Sequence, residues 1–582
     1  MPELQIIAVI FLVINRVFFF HLPLHGDIGF FGNWGHFKDE KLDHDLILHN
    51  GGFRSAAIFI YAFFKKVLFF CSVKQHSRLS QIICLLISIP GYWILLQKLG
   101  VSSEVLNAFI VCFVIAASTS SNGSVYIYTV ELFGICFLPW ILLIYFLSMS
   151  AWLKLAIALF IGYLFKLNVA IEVLLLYAWW YLQEVSLLTA ISEGLLGVIF
   201  SLFAYVIFLK FLGIFRFSWL GFKAFYRSRN DNWYAWKRLL FPSLKQILWE
   251  NSALLILASI GVVSCISQNL WWPLAFWAFE ILGIIIQRGF FHYHYIALTP
   301  GLAILAAFGL KSFGSWMPAI AIFLFISYTI LRWKKRKEQH WPKILEHQKL
   351  FNEIVDQLHG TNFEKILRES KVVWHGGWRY QIYLLFDCRP FSTFLQTVKF
   401  MMVFTSSEEQ EFMPEFKEEF WNRIVELTPD LLILEENELI DIGALENLGI
   451  ESEFLGCFRG RLSFFKLHKK QLNFDWYSRN YQDLFVRPPV KFDWDYFKRI
   501  CPQFLKQNKG EPIYLYGVNN KLEALEQYFN GKGYEIRWLN ENELKDNTLS
   551  GHLYLVSDER SIPFYNRYHH LINDNFRIFK FN

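Results

Sequence analysis

The stretch Arg54-Ser-Ala-Ala-Ile-Phe-Ile-Tyr-Ala-Phe-Phe-Lys65-Lys66-Val-Leu-Phe-Phe-Cys71 decides how the rest of the chain is threaded. It is apolar enough to be taken for a membrane span. Two adjacent lysines sit in its second half, however, and each costs roughly 2.5 to 3.5 kcal/mol at the centre of a bilayer. Laying the run along the interface, with both ammonium groups snorkelling to the headgroups, avoids that cost. This one choice sets the parity of every later crossing.

A span needs about 17 to 25 predominantly apolar residues. Working outward from 54–71, the runs of that kind are 4–22, 79–98, 104–120, 127–148, 152–167, 169–184, 189–212, 251–268, 271–287, 295–311 and 314–332, or about eleven crossings. With 54–71 interfacial, Asp27, the loop 119–126, the end of the span carrying Lys166, the loop 213–249 and the segment 288–294 all share one side with the C-terminal region. If it crosses, Asp27 is separated from the others. Polar groups in membrane segments are expensive and mark function, so the arrangement that gathers them is preferred. The positive-inside rule pulls the other way, because the preferred arrangement leaves Lys223, Arg227, Arg229, Lys237, Arg238 and the run Arg332-Trp-Lys-Lys-Arg-Lys337 outside. Anionic lipid phosphates would be the ligands of those charges.

Composition agrees with a polytopic membrane protein: 54% of residues are hydrophobic, with 61 Phe and 22 Trp. The first run lacks a basic n-region and a small-residue cleavage site, so it reads as a retained span and not a signal peptide. The apolar excess ends near Leu331, which divides the chain into a membrane domain over 1–335, an α/β domain over 336–470 and a second α/β segment over 471–582 with no assigned role. A net charge of +6 on 582 residues is small and suits headgroup contact, not nucleic acid. The eight cysteines form no C-x-x-C pair, and no zinc or disulfide framework follows from them.

Within this frame a few residues carry chemistry. Asp27 stands in His21-Leu-Pro-Leu-His-Gly-Asp27-Ile-Gly-Phe-Phe-Gly-Asn-Trp-Gly-His36, directly after the first span, where a carboxylate can act as a general base or simply form a turn. Lys166 and Arg288, at the ends of apolar spans, suit a lipid phosphate or the headgroups. Arg54 is a weaker cation for the same phosphate. His292 and His294, two apart, suit a leaving phosphate, a sugar, a metal, or an interfacial anchor. Glu131, at the start of a span, either complements the helix dipole or orders the first loop. Loop 213–249 interleaves Trp219, Tyr226, Trp233 and Trp236 with basic residues, which suits a lid over a lipid-linked sugar as well as an interface belt.

Beyond 340 the sequence alternates short strands and helices. Strands are expected at 371–374, 431–434, 462–467, 512–516, 534–539, 552–556 and 576–581, and helices at 411–427, 521–529 and 562–572.

Taken in order, these residues resemble the GT-C superfamily of integral-membrane glycosyltransferases, specifically the bacterial relatives of protein O-mannosyltransferases and of the lipid A aminoarabinose transferase. Asp27 stands where the family has its first-loop catalytic Asp, Tyr128-Thr-Val-Glu131-Leu-Phe resembles its N-x-E-x-F helix start, and Gly162-Tyr-Leu-Phe-Lys166 resembles its Lys-bearing fifth-span end. Arg288-Gly-Phe-Phe-His292-Tyr-His294-Tyr-Ile-Ala-Leu-Thr-Pro300 resembles the R-x-F-x-H-Y segment that leads into a late span. In the tail, Val373-Trp-His-Gly-Gly-Trp378, Arg389-Pro-Phe-Ser392 and Thr428-Pro-Asp-Leu-Leu-Ile433 resemble the start of the extracytoplasmic domain. The likeness covers about residues 1–468 and departs at Gly26-Asp27-Ile28, where the family often has a second acid, and at His49-Asn-Gly-Gly-Phe53, where it has Lys-Pro-Pro.

The resemblance implies a GT-C-like helical membrane domain with an extracytoplasmic α/β domain in the plasma (inner) membrane. It implies transfer of a sugar from a polyprenyl-phosphate donor to an extracytoplasmic acceptor, a glycan, lipid or protein hydroxyl. Asp27 would be the base, Lys166, Arg288 and Arg54 the donor-phosphate ligands, and Glu131, His292 and His294 the supporting residues. No cofactor is fixed by it, and a divalent metal is the one it leaves open. The competing readings are a transporter or flippase of a lipid-linked sugar and a membrane-anchored scaffold.

Overall fold

The computed structural model describes residues 2–17, 28, 55–119, 130–211, 215, 248, 251–287, 292–337, 352–375 and 379–390, and in the C-terminal part 402–404, 410–412, 429–435, 450–469, 513–516, 526–527, 529–531, 533–538, 553–556 and 578–579. The chain divides into two compact units, one of Met1–His359 with Arg379–Leu385 and the other of Gly360–Trp378 with Phe386–Asn582. The division falls beyond the expected 335/336 boundary because residues 352–356 form a helical turn belonging to the first unit, where Lys74 reaches Asp356 at 3.3 Å and Gln381 donates to Asn352 at 2.9 Å.

The first unit is helical: α1 (Pro2–Val17), α2 (Ser55–Val67), α3 (Val73–Lys98), α4 (Ser103–Thr119), α5 (Val130–Leu143), α6 (Ala151–Phe165), α7 (Leu167–Tyr181), α8 (Leu187–Phe211), α9 (Ser252–Ser267), α10 (Trp272–Gln287), α11 (Thr299–Lys311) and α12 (Met317–Lys337). Each of the eleven apolar runs holds one of these helices. Among the described residues, α3 and α8 alone are long and apolar enough to cross a membrane, and the other apolar helices run 10–17 residues. Two membrane-length helices are what the lengths establish. In the 54–71 run the described helix is α2, of 13 residues, the same length as α11. α2 buries Ala57, Ile58, Tyr61 and Phe64 on one face, and the chain then turns through exposed Phe69 and Phe70 to the Ser72 capping box of α3.

Small residues fix how these helices approach. On α9 and α11, a Cβ added at Gly261 would strike the Leu305 carbonyl, and one at Gly309 would strike that of Leu257, so the two backbones touch. α8 rests on α6 along Gly197, Ser201, Tyr205 and Leu209, an i+4 stripe. The pairs Trp152–Phe200 at 5.0 Å and Phe160–Phe208 at 5.8 Å advance together along both chains, so α6 and α8 run parallel. α11 begins against the middle of α10: a Cβ at Gly301 would lie 2.9 Å from the Trp277 Cα.

The second unit carries α13 (Asn362–Glu369) and strands β1 (Val372–His375), β2 (Arg389–Pro390), β3 (Met402–Phe404), β4 (Gln410–Phe412), β5 (Leu431–Glu435), β6 (Ile450–Phe458), β7 (Leu462–Lys469), β8 (Ile513–Tyr516), β9 (Ile536–Trp538), β10 (Leu553–Val556) and β11 (Ile578–Phe579). One sheet has the order β2-β1-β5-β7-β6, a second β11-β10-β8-β9, and β3 pairs with β4. β5 is buried throughout and pairs parallel with β1 and antiparallel with β7, and the second sheet is all parallel. Asp430, just before β5, accepts the Lys371 and Val372 N–H groups at 2.9 Å and so sets the β1–β5 register.

All seven expected strands are present. The expected helix 411–427 differs at its start, since Glu411 and Phe412 lie in β4, opposite Val403 and Met402; its remainder and the helix 562–572 fall outside the described residues. β6 was not anticipated: a register shift between Phe454 and Gly456, the latter at φ +139, interrupts its alternation.

Candidate functional site

Two of the sequence-selected residues meet. The Lys166 ammonium donates to the Glu131 carboxylate, and both side chains are buried. Glu131 lies in the first turn of α5, where the helix dipole favours an anion. Lys166 is the single residue between α6 and α7, with extended φ −170° and ψ 154°. Its N–H still closes α6 on Gly162 O at 2.9 Å, while its C=O accepts from Ala170 N–H at 3.2 Å to open α7. Gly162 permits this sharp corner, because a Cβ there would lie 3.0 Å from the Ala170 Cα. The pair brings the N-terminal end of α5 and the C-terminal end of α6 to one end of the helix bundle. Losing one partner would strand a buried charge, at a cost of roughly 3 to 5 kcal/mol.

His292 and His294 lie on the 3-10 helix His292–Leu298, which packs against α5 and α10 and leads into α11; their side chains are outside the described part. Asp27, Arg54 and Arg288 fall outside the described residues, as does most of the 213–249 loop. No group of three or more His, Cys, Asp or Glu side chains that could hold a metal ion occurs among the described residues. In the second unit, burial pushes the Cys388 thiol well up from its ordinary range, so it is not a ready nucleophile.

Sequence reasoning missed two buried polar groups. The first turns of α3 bury His76, Ser77 and Arg78, which precede the expected span 79–98, and Ser80 and Gln81, which open it. Arg16, in the last turn of α1, meets them: its Nη2 donates to Ala117 O at 2.8 Å and its Nη1 to Gln81 Oε1 at 3.4 Å, while the His76 ring stands edge-on to Tyr61 at 4.6 Å. The signal was an arginine inside the first apolar run. The second group is a pair of acids, Glu172 in α7 and Glu280 in α10, both buried. Each was legible as a lone carboxylate in an apolar run and was passed over in favour of residues at span ends.

No protein-family model matches the chain, and no curated protein matches it significantly.

Proposed function

We propose that the helical unit is a multi-pass membrane glycosyltransferase with a GT-C-like fold. It would take a sugar from a polyprenyl-phosphate carrier and pass it to an extracytoplasmic hydroxyl. The observation that supports this reading is the Lys166–Glu131 pair. It holds a cation at a helix corner, at the end of α5 and α6, preorganised in the way a departing lipid phosphate requires. In this reading Glu131 orients Lys166, Arg288 and Arg54 add charge, Asp27 takes the acceptor proton, and His292 and His294 line the donor. The first loop and the C-terminal unit would then be extracytoplasmic. The residues fix no cofactor for this chemistry.

The test is release of polyprenyl phosphate when purified protein is offered a panel of polyprenyl-phosphate sugars with acceptor. Asp27→Asn keeps the shape and removes the base, so turnover is expected to fall by roughly two to four orders of magnitude. Lys166→Gln should raise the donor concentration needed for half-maximal rate, and the double change Lys166→Gln with Glu131→Gln should recover folding but not donor use. Absence of release with every donor, or an Asp27→Asn protein working at the wild-type rate, overturns the assignment. One observation favours a transporter instead: α11 starts at the mid-height of α10, as discontinuous helices do in transporters. Movement of donor across liposomes without sugar release would select that reading.

A further inference from the structure

Glu172 and Glu280 take no part in the Lys166–Glu131 site, and their chemistry is independent of glycosyl transfer. They are 4% and 1% exposed. An ideal Cβ on Gly283 of α10 lies 3.6 Å from the Asn168 Cβ of α7, and towards the other end of α7 the rings of Trp179 and Phe279 approach to 6.4 Å. Residue numbers rise on one helix as they fall on the other, so α7 and α10 pack antiparallel. Glu172 is one turn beyond Asn168, and Glu280 is one turn before Gly283. Antiparallel packing therefore sets the two carboxyl groups opposite each other, and they interact electrostatically.

Their partners differ. Glu280 accepts the Gly301 N–H at 2.9 and 3.1 Å and caps α11, whose own N-cap residue, Leu298, makes no side-chain bond. Glu172 has no hydrogen bond or ion pair among the described residues, and its Oε1 is fully buried. Asn168, 4% exposed on the same face of α7, also leaves its Oδ1 buried without a donor.

Among the described residues, the surrounding helices give the Glu172 Oε1 and the Asn168 Oδ1 no hydrogen-bond partner. From α3, Tyr92 interacts with both acids, but its hydroxyl donates to Ile135 O at 2.9 Å. From α5, Cys136 stands beside Tyr92, and Glu131 holds Lys166, the cation at the head of α7. α11 offers Glu280 a backbone N–H. Among the described residues, no hydrogen bond or ion pair would offset the charge of an ionised Glu172.

We propose that Glu172 and Asn168, opposite Glu280, form a buried site for one exchangeable monovalent cation, held as a proton on the Glu172 carboxyl. A membrane-buried acid that takes up and releases a proton is the part that a proton-linked step in this domain would need. Sodium satisfies the same acceptors, and the experiment separates the two.

The full chain in lipid nanodiscs, in choline chloride at neutral pH, is examined by infrared spectroscopy for the C=O stretch of a protonated carboxyl. Wild type is expected to show a band that Glu172→Gln lacks and that disappears as the pH is raised. Loss of the band at constant pH when sodium replaces choline identifies sodium as a ligand of the same site, while indifference to sodium identifies the proton alone. No difference between wild type and Glu172→Gln means an ionised Glu172 and overturns the proposal. So does a band that survives both alkali and sodium, which marks a fixed structural acid. Should Glu172→Gln fail to fold, wild type is treated with dicyclohexylcarbodiimide, which adds to protonated buried carboxyls. Label on Glu172 at neutral pH that is lost on raising the pH supports the site, and an unlabelled Glu172 or pH-independent labelling overturns it.

Discussion

α3 and α8 are almost equal in length, 26 and 25 residues, and both are apolar enough to cross a membrane, yet they face opposite surroundings. α3 turns its polar residues inward: His76, Arg78, Gln81 and Ser88 are buried, and Tyr92 packs between Phe109 and Phe113 of α4. α8 buries one narrow stripe and leaves Leu188, Leu195, Ile199, Phe203 and Phe211 exposed along its whole length. An apolar face this long has no favourable contact with water and a good one with lipid. Hydropathy therefore identifies both as membrane-length helices, but the location of their few polar atoms tells which one lines the protein interior.

The strongest way to break that contrast is to place a lysine on each helix. Leu85→Lys in α3 puts an unpaired charge at a fully buried position, and a loss of roughly 3 to 5 kcal/mol is expected, seen as failure to recover folded protein. Ile199→Lys on the exposed face of α8 should cost roughly 2.5 to 3.5 kcal/mol on insertion into a bilayer and leave the thermal unfolding midpoint in mild detergent nearly unchanged. Equal membrane insertion of Ile199→Lys and wild type would mean that α8 does not face lipid.

A smaller effect comes from paired glycines. A Cβ at Gly91 of α3 would meet the Trp140 ring at 2.8 Å, whereas one at Gly194 of α8 meets nothing within 4 Å. Gly91→Leu should destabilise by roughly 1 to 3 kcal/mol through overpacking, and Gly194→Leu should stay within about 0.5 kcal/mol, both read by thermal unfolding. Tyr92→Phe, which removes the bond to Ile135 O, should cost about 1 kcal/mol, between the two glycine changes or at the lower end of the first.

Much of the helical layout was legible because apolar runs fold into helices locally, whatever surrounds them. The 54–71 run shows how far this goes: it holds a 13-residue helix with Lys65 and Lys66 in its last turn, as long as the helix of the expected span 295–311. Interior polar positions were not legible in the same way. His76 to Arg78 look like the hydrophilic lead-in to the span that Ser80 and Gln81 open, and the Arg16 that bonds Gln81 and Ala117 is distant in sequence. Glu131 and Lys166 were each visible at a span end, but their pairing follows from the corner at Lys166, which no periodicity announces. In the tail, the unbroken apolar Leu431–Leu434 declared itself as a central strand, whereas β6, with Glu451 and Glu453 outward and a bulge at Gly456, did not.

Each of Gly261 and Gly309 receives the backbone of the other helix. Sliding either helix by one residue would drive a side chain into a groove that has room only for hydrogen. α9 and α11 therefore behave as one rigid beam, and because the cap at Gly301 ties that beam to Glu280, α10 is anchored to it as well. Motion within the helical unit is then left to helices outside this beam, and the one-residue joint at Lys166 lies outside it.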